Sequence, residues 1–186
     1  MSVVLSYVDA KVAIVASDGR VVDSNGKIVD EHYSKIAKIN KSVIVGYAGQ
    51  LNGCRQVVDL LTNPDKEGFI SQLRVEHVVD FISEVISRST IPDGIHIGFL
   101  VCGKSKDGRM CSANVSNYSP KSIVYPTMQE PHIQGIYPAP FPGKEDLLRD
   151  CIECHGVKMG MEETVRQYAS MFHDVNTNIY FNEVYL

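Results

Sequence analysis

The stretch SVVLSYVDAKVAIVASDGR (residues 2–20) decides the reading of this chain. Two runs rich in valine and isoleucine, Ser2 to Val8 and Lys11 to Ser17, flank a short break at Asp9-Ala10. That is the pattern of two strands joined by a tight turn. The second run, VAIVAS, is apolar almost throughout, which predicts a strand covered on both faces. Asp18-Gly19 and Ser24-Asn25-Gly26 are turn signals. Extended segments follow around Lys35 to Ile39 and Val43 to Val45, closed by Gly46 and Gly49. The first third of the chain reads as sheet.

Helices come next. Asn52 to Leu61 carries Val57, Val58, Leu60 and Leu61 and stops at Asn63-Pro64. In Val75 to Arg88, Val75, Val78, Val79, Ile82, Val85 and Ile86 form an apolar stripe at helical spacing. Sheet returns in Ile95 to Cys102, Arg109 to Val115 and Ser122 to Tyr125. The segment Pro126 to Gly143 holds five of the eight prolines and reads as an irregular surface loop. Helices over Lys144 to His155 and Met161 to His173 and a strand over Asn178 to Tyr185 complete the chain. Strands in blocks joined by tight turns argue for antiparallel sheets, with the helix pairs covering them. The parts fit an α+β fold of four layers, two stacked sheets flanked by helices, with residues 1–186 as one domain.

Composition narrows the function. A chain of 186 residues buries roughly 70% of the surface it exposes when unfolded, enough for a core without disulfides or metal. Apolar residues are 44% and charged residues 22%, which excludes disorder, collagen and coiled coil. A net charge of -4 disfavours nucleic acid and anionic membranes as partners. The longest aliphatic run, Val12 to Ala16, is far short of a membrane span. Five cysteines, an odd count, and no basic segment ahead of an apolar stretch predict reduced thiols and a cytoplasmic protein.

The candidate chemistry lies at the first residues. Serine is small enough for a preceding initiator methionine to be removed, which would leave Ser2 with a free α-amine. A hydroxyl is a weak nucleophile until a base takes its proton, and an N-terminal amine can be that base. Its ordinary pKa, roughly 7.7 to 8.0, lies near working pH. A neighbouring lysine favours the neutral amine, and an aspartate holds that lysine in place. Asp18 and Lys35 supply this pair, and Gly46 offers a backbone N–H as an oxyanion donor.

These residues carry a family resemblance. The run SVVLSYV, then AIVASDGR, YSKIAKI and VIVGYAG resembles the start of a proteasome β-subunit, in particular the bacterial HslV-type peptidase that works with a ring ATPase. The specific match covers Ser2 to Gly49; beyond that it is one of architecture. It implies the four-layer αββα sandwich of N-terminal-nucleophile hydrolases, with Ser2 as nucleophile, Asp18 and Lys35 beside it and Gly46 as the oxyanion donor. It also implies that Arg20 supports the site and that Ile44 and Ala48 line a small apolar substrate pocket. By the same resemblance, the chain forms a homo-oligomeric ring, takes peptides or unfolded chains as substrate, and works with an ATPase or other activator.

The sequence departs from the pattern in three places. The nucleophile is serine where the family usually has threonine. The loop YPAPFPG (residues 137–143) offers no supporting serine. Asp174 and Thr177 stand loosely where supporting acidic and hydroxyl residues fall. Two alternatives therefore remain open: a non-catalytic scaffold subunit of the same fold, and an amidohydrolase acting on a small molecule. Cys151, Cys154 and His155 match the spacing of c-type haem attachment, but Leu147, Leu148, Cys151 and Cys154 share a helical stripe, which reads as packing. The six histidines do not cluster. No metal and no cofactor is expected.

Overall fold

A computed structural model describes residues 2–119, 121–127, 129–137 and 144–186. β1 (Val4–Val8) and β2 (Val12–Asp18) form the expected antiparallel pair, with Val4 opposite Ser17 and Val8 opposite Ala13. The Asp9 carboxylate closes their turn by accepting the N–H groups of Lys11 at 2.7 Å and Val12 at 2.9 Å. β3 (Val21–Val22) and β4 (Ile28–Asp30) make a two-stranded hairpin around Ser24-Asn25-Gly26, where Gly26 has φ 78°. Then come β5 (Ile36–Lys38), β6 (Val43–Gly49), α1 (Leu51–Leu61), a short 3-10 turn and α2 (Glu67–Ile70), and α3 (Val75–Arg88). β7 (Ile97–Lys104), β8 (Met110–Ser116), β9 (Ser122–Val124) and β10 (His132–Ile136) precede α4 (Lys144–His155), α5 (Val157–Met171) and β11 (Ile179–Tyr185).

Two larger sheets result, in the orders β10-β1-β2-β11 and β5-β6-β7-β8-β9. Side-chain alternation assigns their faces. Val4, Val8, Ala13 and Val15 of the first sheet meet Ile44, Leu100, Cys102 and Met110 of the second, and all are buried. The opposite face of the first sheet, with Val3, Leu5, Ile14 and Ala16, packs on Leu148 of α4 and Met161, Val165 and Tyr168 of α5. The outer face of the second sheet packs on Val57 and Leu61 of α1 and on Val75, Val78, Val79 and Ile82 of α3. The molecule is an α+β sandwich in four layers, αββα. β2 is apolar from Val12 to Ala16 because helices cover one side and a sheet the other.

The expectation of an irregular loop over Pro126 to Gly143 is corrected in part. His132–Ile136 is a strand that pairs with β1, from Val4 opposite Ile136 to Val8 opposite His132. It lies at a sheet edge, where flanking prolines such as Pro131 break no ladder on the outer side. Residues 138–143 and positions 120 and 128 lie outside the described residues. β6 also runs past Val45 through Gly46 to Gly49, whose φ of 110° ends it. Among the described residues, no helix is long and apolar enough to cross a membrane.

Gly160 sets the distance between α4 and α5. A Cβ there would fall 2.5 Å from the backbone N and Cα of Ile152 and 2.6 Å from the carbonyl carbon of Cys151. Backbone cannot rotate away as a side chain can. Gly160→Ala is expected to lower stability by about 1–3 kcal/mol despite alanine's higher helix propensity, read as a lower urea midpoint in equilibrium unfolding.

Candidate active site at the first strand

Asp18 ends β2 with no exposed surface, and its hydrogen bonds organise everything around it. Its Oδ1 accepts the Val3 N–H at 2.9 Å, and its own N–H donates to the Val3 carbonyl at 3.1 Å. Its Oδ2 accepts the Arg20 N–H at 2.9 Å and faces the Lys35 Nζ at 3.0 Å. Lys35 Nζ also donates to the Asp18 carbonyl at 3.0 Å. The lysine arrives just before β5, fixed by its own N–H to Ser17 Oγ at 3.3 Å and by its carbonyl accepting from the Tyr47 N–H at 3.0 Å. Lys35 is 3% exposed. Burial pulls its pKa below the ordinary 10.5, and the Asp18 carboxylate opposes that pull. Ser2 is itself buried, directly before the Val3 amide that Asp18 holds. Asp18 and Lys35 therefore meet at one end of the first sheet, beside the Val3 amide that follows Ser2.

Gly46 is placed differently from the expectation. It lies in mid-strand, opposite Leu100 on β7. The Gln50 N–H donates to the His96 carbonyl and the Lys104 N–H to the Ser42 carbonyl, both in the register that pairs Gly46 with Leu100. The antiparallel alternation then commits the Gly46 N–H to the Leu100 carbonyl, so it is not presented to an oxyanion. What Gly46 supplies is close approach between the sheets: a Cβ would fall 2.5 Å from Val4 Cγ1 and 2.8 Å from Val15 Cγ1. Ile44 and Ala48 share that inter-sheet face and are 0% and 4% exposed, so they are core rather than walls of an open substrate pocket.

Arg20 forks onto Glu31, with Nε and Nη2 each 3.0 Å from a carboxylate oxygen, and its Nη1 donates to the His173 carbonyl at 2.6 Å. These bonds hold the Glu31 carboxyl below its usual pKa. Asp174 is half-buried and Thr177 is exposed. From the same segment Asn176, 7% exposed, reaches the turn after β2, where its Oδ1 accepts the Gly19 N–H at 2.9 Å. Neither Asn176 nor Glu31 was legible as a site residue, because an asparagine and a glutamate in connecting segments carry no pattern. Elsewhere, Cys151 is buried while Cys154 and His155 are exposed, and all five cysteines are unpaired. Among the described residues, no group of three or more His, Cys, Asp or Glu side chains is placed to hold a metal ion.

The model of the family described as "Proteasome subunit" matches residues 3–112, more than half of the chain. The chain belongs to the proteasome subunit family. Its fold is similar to that of eukaryotic HslV from Trypanosoma brucei, whose crystal structure superposes with a TM-score of 0.66 over 99% of each chain at 12% identity. Comparison with curated proteins finds no match. The αββα layering is thus that of the proteasome-type N-terminal-nucleophile hydrolases, and the matched segment contains Asp18, Lys35 and the strands that bring them together.

The Asp18–Lys35 pair lends itself to a double-mutant cycle. Asp18→Asn or Lys35→Met alone leaves a buried charge without its counterion and is expected to destabilise by about 3–5 kcal/mol. The double variant is expected to lose about 1–3 kcal/mol less than the sum of the two, measured by urea unfolding. Additive losses would mean that the two side chains do not interact.

Proposed function

We propose that this proteasome-family subunit is a serine-type N-terminal-nucleophile peptidase that becomes active when Met1 is removed. The observation that carries this reading is the buried Asp18 carboxylate, which binds the Val3 N–H and the Lys35 ammonium at once and so places a cation at the start of β1. In the proposed reaction the Ser2 α-amine takes the proton of the Ser2 hydroxyl as Oγ attacks the substrate carbonyl. The amine then returns that proton to the leaving amine, and water hydrolyses the Ser2 ester in a second cycle of the same transfers. Lys35 keeps the α-amine neutral by charge repulsion, and Asp18 keeps Lys35 in place.

Family membership supports a homo-oligomeric ring of this single domain, residues 1–186, in the cytoplasm, with short peptides or unfolded chains as substrates. An ATPase or another activator would feed such a chamber. These assignments rest on the family rather than on a surface of this chain.

Fluorogenic peptides with small apolar residues before the scissile bond test the reading. Ser2→Ala is expected to reduce turnover by on the order of a thousandfold or more, and Lys35→Ala by at least about a hundredfold. Activity retained in Ser2→Ala, or no hydrolysis by chains that start at Ser2, would contradict it. The pH profile should be bell-shaped. Its acid limb reports protonation of the α-amine. Its alkaline limb reports loss of the Lys35 charge, and falls below the ordinary lysine value of 10.5 because burial favours the neutral form.

A further inference from the structure

The peptide unit between Asp18 and Gly19 is held from both sides. Its carbonyl accepts from Lys35 Nζ at 3.0 Å, and its N–H donates to Asn176 Oδ1 at 2.9 Å. The two residues of the second bond are 157 positions apart, so the far end of the chain fixes a peptide plane that binds Lys35 at the near end. Asn176 is itself immobilised: its Nδ2 donates to the Glu31 carbonyl at 2.8 Å and to Glu31 Oε2 at 2.5 Å. Glu31 is pinned in turn by the Arg20 fork and by Asn178 Nδ2, which donates to the Glu31 carbonyl at 2.8 Å. Gly19 is packed so closely that a Cβ would fall 2.8 Å from the Glu31 carbonyl oxygen and 2.9 Å from Tyr180 Cε2. Position 19 therefore has room for glycine and for no larger residue without movement of the Glu31 backbone.

The geometry points to Asn176 as a positioning residue for the proposed reaction: it orients the Asp18–Gly19 peptide so that this carbonyl, together with the Asp18 carboxylate, fixes the Lys35 ammonium at the start of β1. Two acceptors set the ammonium's place, the carboxylate oxygen and the main-chain carbonyl. Asp18 alone leaves the lysine head free to swing about one oxygen. The second acceptor removes that freedom, and its direction depends on the plane that Asn176 holds. A buried amide whose oxygen takes a main-chain N–H and whose nitrogen serves two oxygens of one residue has little latitude to turn. Glu31 and Arg20 act one step further out, by holding Asn176.

The inference rests on the reading of Ser2 and Lys35 given above, and its test separates the two. The titration of Lys35 is followed by NMR of its side-chain carbons in the full chain carrying Asn176→Ala or Asn176→Ser. A core variant, Val165→Ala, serves as a control for general loss of stability, since Val165 is fully buried between α5 and the first sheet. If Asn176 positions Lys35, its midpoint moves by about half a pH unit or more in the Asn176 variants, a threefold or greater change in proton affinity, and not in Val165→Ala. In a peptidase-active wild type, the Asn176 variants also lose about tenfold or more in kcat with KM within about twofold. A Lys35 midpoint unmoved in the folded Asn176 variant, or moved equally in Val165→Ala, overturns the inference whether or not the wild type is active. An inactive wild type with a moved midpoint overturns the peptidase reading and leaves the positioning role standing.

Discussion

The Asp18 carboxylate is the constraint on which the rest of the site depends. A carboxylate with no exposed surface is costly to bury unless its oxygens are bonded and its charge is paired. Here one oxygen takes the Val3 amide, and the other takes the Arg20 amide and the Lys35 ammonium. Those three partners come from the start of β1, the exit of β2 and the approach to β5. One side chain thus ties the first sheet's leading strand to the second sheet's edge. The same bonds that satisfy the charge define where a nucleophile on Ser2 would sit.

The four layers explain why such a charge can be kept dry. Both faces of the first sheet are covered, by α4 and α5 on one side and by the second sheet on the other. Gly46 lets the two sheets close against each other under Val4 and Val15, a tighter approach than any side chain would permit. A low-polarity surrounding strengthens the Asp18–Lys35 attraction and lowers the Lys35 pKa together, since both follow from the exclusion of water. Structural packing and site electrostatics are here two results of one arrangement.

Much of this was open to reading from the residues because local patterns report burial. The stripe of Val75, Val78, Val79 and Ile82 marks α3 at its observed bounds, since only one face meets the sheet. β2 and the Asp9 turn were equally plain. β10 was not, because a five-residue edge strand bracketed by prolines leaves little periodicity. The candidate residues divide in the same way. Asp18 and Lys35 stand out only together with Ser2, through the chemistry an N-terminal nucleophile needs and the resemblance of the first 49 residues. Asn176 and Glu31 act through a contact between the two ends of the chain, which no local spacing encodes. Gly46, Ile44 and Ala48 were placed by resemblance to a motif, whereas strand alternation puts them in the core and in the β6–β7 ladder.

The central claim is that Ser2 carries a free α-amine beside the Asp18–Lys35 pair. The intact mass of protein prepared without an N-terminal tag, combined with sequencing of its first residues, tests this most directly. The expected result is a mass lower than that of the full chain by one methionine residue, with serine as the first residue. Met1 retained on the assembled protein would contradict it, because the Ser2 nitrogen would then lie in a peptide bond and have no basic lone pair to offer.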